Sequence, residues 1–370
     1  MYLPNLQPRN GVGRHDEPYY QDNKSVALRE KSAFLTNNHE AWLAGLPAHA
    51  LLNIPPREQI PTILAVGGGK GGVGKSILSA NLAARLGQVG FSVLLVDLDI
   101  GSANLHTHFG LPVPQKTLAD YVLFQQCTFE EVLGQTSMKN VYLLAGGKDE
   151  AWSDTTDFST SAFSNLWTSL LNSQIKQGFD FVIIDLGAGT HRHTIDFFVS
   201  AHLGIVTVVP EPTSIENAYS FLKASLWRII ENVGISSNAC AAADEVKELI
   251  FNPYASTMHA GSHLSRLKSL GGEYSDLSKQ IFKALKGRQI GFVINQIRSQ
   301  RDIDIGESMQ TISRSYFGYE TRFLGYLNYD DAAWKSLRNR RLLVADFPHC
   351  ILSKKITEVT SRILKSLGYL

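Results

Sequence analysis

Ten consecutive residues restrict the fold of this chain more than any other feature. They read Gly67-Gly68-Gly69-Lys70-Gly71-Gly72-Val73-Gly74-Lys75-Ser76, between an apolar run, Ile63–Val66, and a helical pattern over Ser76–Val89. From Gly69 to Ser76 they satisfy G-x-x-x-x-G-K-[ST], in the strand, loop and helix setting that a phosphate-cradling loop needs. Glycines let a backbone wrap a phosphate with its N–H groups turned inward, and the N-terminus of the following helix adds a favourable dipole. The motif assigns nucleotide contacts to Gly69, Lys70, Gly71, Gly72, Val73, Gly74, Lys75, Ser76 and Ile77. Lys75 is expected to reach the β- and γ-phosphates, and the Ser76 hydroxyl to bind Mg²⁺.

A loop of this kind belongs on a parallel sheet, and the rest of the chain supplies one. Apolar runs of strand length recur at Ile63–Val66, Val93–Val96, Val141–Leu144, Phe181–Ile184, Ile205–Val209, Ile290–Ile294 and Phe323–Leu327. Several are nearly unbroken, as in strands buried on both faces. Helical patterns lie between them at Ser76–Val89, Phe163–Lys176, Thr194–Ala201, Ile215–Asn232 and Ile305–Phe317. The alternation predicts an α/β fold, a doubly wound and mostly parallel sheet of about seven strands with helices on both faces.

Residues 1–60 are punctuated by prolines and read as an extended, partly ordered extension, in which Tyr19, Tyr20, Phe34, Trp42 and Leu43 can dock short pieces. Residues 61–370 read as one domain. Between 234 and 288 no clear strand occurs. Helical patterns at Asp244–Phe251, His263–Leu270 and Leu277–Leu285 fit either an inserted cap or a long crossover of the same domain.

Composition narrows the function. Apolar residues at 44% and charged residues at 19% exclude a disordered chain. Thirty-five Lys and Arg against 34 Asp and Glu leave a charge of +1, so only a local patch could select nucleic acid. Cys127, Cys240 and Cys350 stand far apart without a CxxC pair, which excludes a sequence-local zinc or iron–sulfur cluster and a disulfide framework. The first thirty residues lack a secretory apolar core, and no run approaches the ~18 apolar residues of a spanning helix. A cytoplasmic protein, at most reversibly peripheral to the inner face of the plasma membrane, is expected.

Two further stretches carry chemistry. Val96-Asp97-Leu98-Asp99 ends a strand with two carboxylates at the sheet edge where α/β folds bind ligands. One such carboxylate can orient Mg²⁺ and its waters, and another can position an attacking water. Phe181-Val182-Ile183-Ile184-Asp185 has the form of a Walker B strand, with Asp185 holding Mg²⁺ through water. Gly187 to Gly189 then allow close backbone approach to a γ-phosphate.

The loop, the Asp97–Leu105 stretch and the Asp185–Gly189 stretch, in this order, resemble the MinD/ParA family of deviant Walker A ATPases. Lys70, five residues before Lys75, matches that family's additional lysine, which reaches the partner's phosphates across a nucleotide-sandwiched dimer. A solvated loop residue is the alternative reading of Lys70 taken by itself. The resemblance implies ATP and Mg²⁺ as cofactors, catalysis by Lys70, Lys75 and Asp99, and Asp99 as the residue that polarises water. It places Asp97 with Ser76 and Asp185 at the metal, and Asn104, Gly187 and Gly189 in the nucleotide-sensing switches. Asn295, after the strand Ile290–Ile294, takes the adenine contact by the same match, or is a strand-end turn residue. Gly325 to Asp330 resembles the family's second base-contacting loop.

Asp185-Leu186-Gly187-Ala188-Gly189 and Pro210-Glu211-Pro212-Thr213-Ser214 look most like the FlhG side of the MinD group. The function so implied is a slow, dimerisation-activated ATPase switch that sets the position or number of a flagellum or division site at the membrane. A ParA-like partitioner on non-specific DNA is the alternative. Expected partners are a second copy, a regulatory or cargo protein and an anionic membrane surface, with DNA ranked below them. Asp22 to Arg29 is reminiscent of an FlhG element that stimulates a signal-recognition-type GTPase. Ile356, Val359, Ile363, Leu367 and Leu370 form an apolar stripe that permits an amphipathic membrane helix or a packed last helix. The basic run Trp334 to Arg341 suits anionic lipid, DNA phosphate or a solvated helix face.

Overall fold

The computed structural model describes residues 39–51, 54–99, 103–147, 160–252 and 262–370. The element that resembles the GTPase-stimulating segment lies outside them, as do Tyr19, Tyr20 and Phe34. Strands β1 (Thr62–Gly67), β2 (Val93–Leu98), β3 (Leu133–Gln135), β4 (Val141–Leu144), β5 (Phe181–Leu186), β6 (Leu203–Val208), β7 (Gln289–Ile297) and β8 (Glu320–Asn328) form one sheet. Their order is β3-β4-β2-β5-β1-β6-β7-β8. All pairings are parallel except β3 with β4. The expected seven strands are present, and the count rises to eight because the short edge strand β3 pairs antiparallel.

Side chains alternate across the sheet and feed two cores. On β1, Ile63 and Ala65 enter one cluster, while Leu64 and Val66 enter the other. Helices Thr160–Gln177, Arg192–Ser200, Pro212–Ser236 and Gln300–Phe317 cover the first face. Lys75–Gln88 and Ile351–Ser366 cover the second. This double cover makes the strands apolar at nearly every position.

Of the residues before Pro61, Trp42 and Leu43 pack onto the body, as docked pieces of the extension would. In helix His39–Ala44, Trp42 is buried, donates from Nε1 to the Ser200 carbonyl at 2.9 Å and stacks on His202. Arg288 is fully buried and donates to the carbonyls of Trp42, Val199 and Ala284. Burial lowers its pKa to about 10, with Tyr319 acting against that shift.

Residues 234–288 form helices Cys240–Phe251, His263–Ser269 and Ser275–Lys286 between Pro212–Ser236 and β7. Ala243, Val246, Ile250, Ile281 and Leu285 join the first core.

Of its two readings, the C-terminal stripe takes that of a packed last helix. In helix Ile351–Ser366 and the residues after it, Ile356, Val359, Ile363 and Leu367 are buried in the second core, whereas Leu370 is exposed. A membrane could take the stripe only if the helix left the sheet. No helix among the described residues is long and apolar enough to cross a membrane.

Candidate nucleotide site

The phosphate loop leaves β1 in the middle of the sheet and runs into helix Lys75–Gln88. Gly74 adopts φ 92°, a left-handed conformation, and any Cβ there would collide with the Asn295 amide. Its neighbour Lys75 is buried at 7% exposure, with Nζ 3.3 Å from the Lys70 carbonyl. Burial lowers the Lys75 pKa, and the carboxylates of Asp185 and Asp99 act against that shift.

Parallel pairing places the two strand-end carboxylates side by side, with Asp97 on β2 in register with Asp185 on β5. Asp97 accepts from the backbone N–H of Leu105 at 3.0 Å and of Asp99 at 3.2 Å. Burial, then the charge of Asp185, pushes its pKa up to about 7 against those two bonds. Asp185 accepts from Ser79 Oγ at 2.8 Å, while its second oxygen is buried without a hydrogen-bond partner among the described residues. Burial raises its pKa to about 6, with the hydroxyls of Ser76 and Ser79 and the charge of Lys75 pulling down. Asp99 is also raised by burial and lowered by Lys75.

This donor set fits a magnesium ion. A buried carboxylate oxygen that lacks a partner, with the Ser76 hydroxyl beside its carboxylate, is the oxygen-rich arrangement that Mg²⁺ shares with substrate phosphates. Among the described residues no three His, Cys, Asp or Glu side chains cluster around a metal position.

A cavity of about 390 Å³ opens over the loop. Gly71, Gly72, Gly74, Lys75, Ser76, Ile77, Asp99 and Asn295 line it, with Ala188 from the Asp185–Gly189 stretch. Asn328 and Tyr329, from the stretch that resembles a second base-contacting loop, also line it, as do Trp334 of the basic run and His108, which the sequence reading left without a role. Tyr329 is exposed and carries the Arg298 guanidinium 4.4 Å from its ring centre; Trp334 is exposed and carries that of Arg338 at 5.2 Å. His108, buried, has its pKa lowered to about 4 by desolvation and meets the cavity as neutral imidazole.

Not every expected residue reaches the cavity. Gly69 and Val73 shape the loop from behind, Gly69 lying so close to the Asn217 backbone that no side chain fits. Asp97 and Asp185 sit beneath the loop. Gly187 faces Asp99, where an added Cβ would lie 3.0 Å from Oδ1, and Gly189 turns the following segment at φ 91°. Asn104 is exposed and precedes the short helix Leu105–His108. Residues 100–102, between Asp99 and Asn104, lie outside the described residues.

Two of the expected residues are engaged by partners within the chain. Asn295 borders the cavity, but its amide donates to the Val73 carbonyl at 2.8 Å and its Oδ1 accepts from Gln296 N–H at 2.8 Å. In this state its polar atoms hold the loop to β7 instead of facing a base. Lys70 points away from the cavity and is held by Glu211 at 2.7 Å and by the Thr213 hydroxyl at 3.1 Å. Ser79 was the reachable omission: it lies three residues after Ser76, on the same helix face.

Similarity to known proteins agrees with this geometry. A family model described as an AAA domain matches residues 61–236. The chain is 28% identical over 280 residues to a putative septum site-determining protein MinD of Oltmannsiellopsis viridis, covering 73% of this chain and 85% of that protein. It is 34% identical over 163 residues to the antiactivator FleN of Pseudomonas aeruginosa, a match that spans 44% of this chain and 55% of FleN. The structure of MinD complexed with Mg-ADP from Pyrococcus horikoshii superposes with a TM-score of 0.54 at 22% identity, over 84% of this chain and 98% of that one, and shares the fold. Phosphate loop, paired strand-end carboxylates and sheet are those of a P-loop nucleotide-binding fold, and in them the chain is similar to the MinD/ParA family of ATPases, its MinD/FlhG group included.

Proposed function

We propose that the protein is an ATP-dependent dimerisation switch of the MinD/FlhG type, which hydrolyses ATP slowly and controls the position or number of a cellular structure. The observation that carries this reading is the division of labour between two lysines on one loop. Lys75 lies buried in the cavity, and Lys70 stands outside it, half exposed. A cation outside its own pocket, at the protein surface, supports a role toward a second copy. There it would stabilise transition-state charge as an arginine finger does.

In this reading the loop N–H groups and Lys75 bind the phosphates. Ser76 and Asp185 would hold Mg²⁺, which when bound neutralises charge on the β- and γ-phosphates. Asp97 fixes the segment that follows β2 through its bonds to Asp99 and Leu105. Asp99, next to Gly187, orients the attacking water. The carboxylates lose their protons as the site fills, because ligand cations favour the charged form. Because the C-terminal stripe is used in the core, we assign the switch's output to a protein partner ahead of an anionic membrane. The domain reading that goes with it is one ATPase body, with residues 234–288 as a helical excursion built onto it.

Light scattering with ATP and with ADP tests the switch. Dimer is expected only with ATP, enriched in Asp99→Ala and absent in Lys70→Ala. Dimerisation and turnover that survive unchanged in Lys70→Ala would reject the reading. A ParA-like output on DNA is the second reading, supported by Lys335, Arg338, Arg340 and Arg341, all exposed around helix Asp331–Arg338. ATP-dependent binding of random-sequence duplex that weakens steeply with salt would favour it.

A further inference from the structure

The helical excursion builds a second concavity, on the first-core side of the sheet. It has a volume of about 490 Å³ and lies between helix Pro212–Ser236, helix Cys240–Phe251 and Tyr274. No residue of the phosphate loop or of the strand-end carboxylates lines it.

Its chemistry is one-sided. Asp244, Glu245 and Glu248 are exposed on one face of their helix, and all three line the concavity. Among the described residues that line it the one cation, Lys247, is buried and already engaged: its ammonium lies 4.8 Å from the Trp227 ring centre and 2.6 Å from Asp244. Trp227 itself remains 39% exposed. Tyr274 closes one end and donates its hydroxyl to Glu245.

We propose that this groove is a docking site for a basic segment of a partner protein, with an Arg or Lys side chain received between Trp227 and the carboxylates of Glu245 and Glu248. The charge complementarity is explicit, since three carboxylates face one lysine that the site has itself neutralised. Lys247 shows the recognition mode within the molecule, an alkyl-ammonium group set over the indole with a carboxylate beside it. An exposed Trp at the centre of a groove with a charged rim has the composition of an interface anchor. The inference is independent of the nucleotide chemistry, because no group of the phosphate site takes part.

The test uses the full chain and a fluorescent nonapeptide of alternating Arg and Leu, with its Arg→Gln counterpart as control, read by anisotropy. The Arg peptide is expected to bind, to weaken as salt rises, and to exceed the Gln peptide at least tenfold. Glu245→Gln with Glu248→Gln should lower its affinity at least fivefold while the melting temperature stays unchanged. Trp227→Leu should do the same, and Lys75→Ala should leave peptide binding intact. Equal binding of both peptides, or full affinity in both groove variants, would overturn the proposal. So would concentration-dependent self-association that Trp227→Leu abolishes, which would assign the groove to a second copy.

Discussion

The nucleotide cavity and the groove on the helical excursion treat charge in opposite ways. At the cavity, Asp97, Asp185 and Lys75 are buried before any ligand arrives. At the groove, Asp244, Glu245 and Glu248 stand in water. Buried carboxylates cost stability, because desolvation disfavours their charged form, and both have pKa values raised accordingly. Exposed ones cost almost nothing and contribute almost nothing until a partner excludes the water. A site that binds a small, highly charged ligand is therefore built under strain that the ligand relieves, whereas a site for a protein segment is left solvated.

The comparison breaks first if Lys75 is dispensable. Removing one member of a buried charged group typically costs about 3–5 kcal/mol. Lys75→Ala should thus lower Mg-ATP affinity at least a hundredfold in a fluorescent-nucleotide titration. Retained affinity would mean that the buried charges serve the fold and not a ligand.

Asp185→Asn sharpens the same point, because its effects on stability and on binding should have opposite signs. The Asn is neutral where a carboxylate is desolvated, so the nucleotide-free protein should melt at the same temperature or a few degrees higher. The Mg²⁺ dependence of nucleotide affinity should be lost in the same variant. A large drop in the nucleotide-free melting temperature would show instead that the Ser79 bond outweighs the desolvation.

Acidity should separate the two regions as well. Asp97 and Asp185 have folded pKa values near 7 and 6, above the ordinary 3.8. The stability they contribute is complete below about pH 4 and is lost as pH rises through 6 to 7. His263, in the excursion, is lowered to about 4 from 6.5 by burial. Its contribution is present above about pH 6.5 and is lost as pH falls toward 4. Hydrogen exchange at pH 5 and pH 7.5, without nucleotide, should show the excursion opening more readily in acid and the β2 and β5 ends more readily at neutral pH. A change of the same sign in both regions would count against this assignment.

Much of this contrast was legible in the sequence on one side only. The seven long strands announce themselves because double cover forces unbroken apolar runs, and the loop with its carboxylates follows by spacing. β3 escapes because Leu133-Gly134-Gln135 is three residues of mixed polarity at an edge. Helix His39–Ala44 escapes because the prolines around it suggest extended chain, while Trp42 is fixed by Ser200 and His202, far away in sequence. The Asn295 amide and the Lys70 ammonium could not be placed either, since their partners come from other elements. The groove is the extreme case: Asp244, Glu245 and Glu248 look like any solvated helix face until Trp227 from another helix is brought beside them.

The smallest expected effect lies at an exposed charge pair beside the nucleotide cavity. Lys70 and Glu211 meet at 2.7 Å with side chains 35% and 59% exposed, more like the groove carboxylates than like Asp97. Exposed pairs of this kind are worth ~1 kcal/mol or less. Glu211→Gln should therefore leave the melting temperature within about 2 °C of the parent and leave Mg-ATP affinity unchanged. Thr213 still accepts from the ammonium, so the lysine loses its charge partner and keeps one hydrogen bond. If Lys70 serves a second copy, loosening it should change ATP-dependent dimerisation by a few-fold at most, measurable by sedimentation at several protein concentrations. A loss of several kcal/mol in the isolated protein would instead place this pair with the buried charges and remove the distinction between the two lysines of the loop.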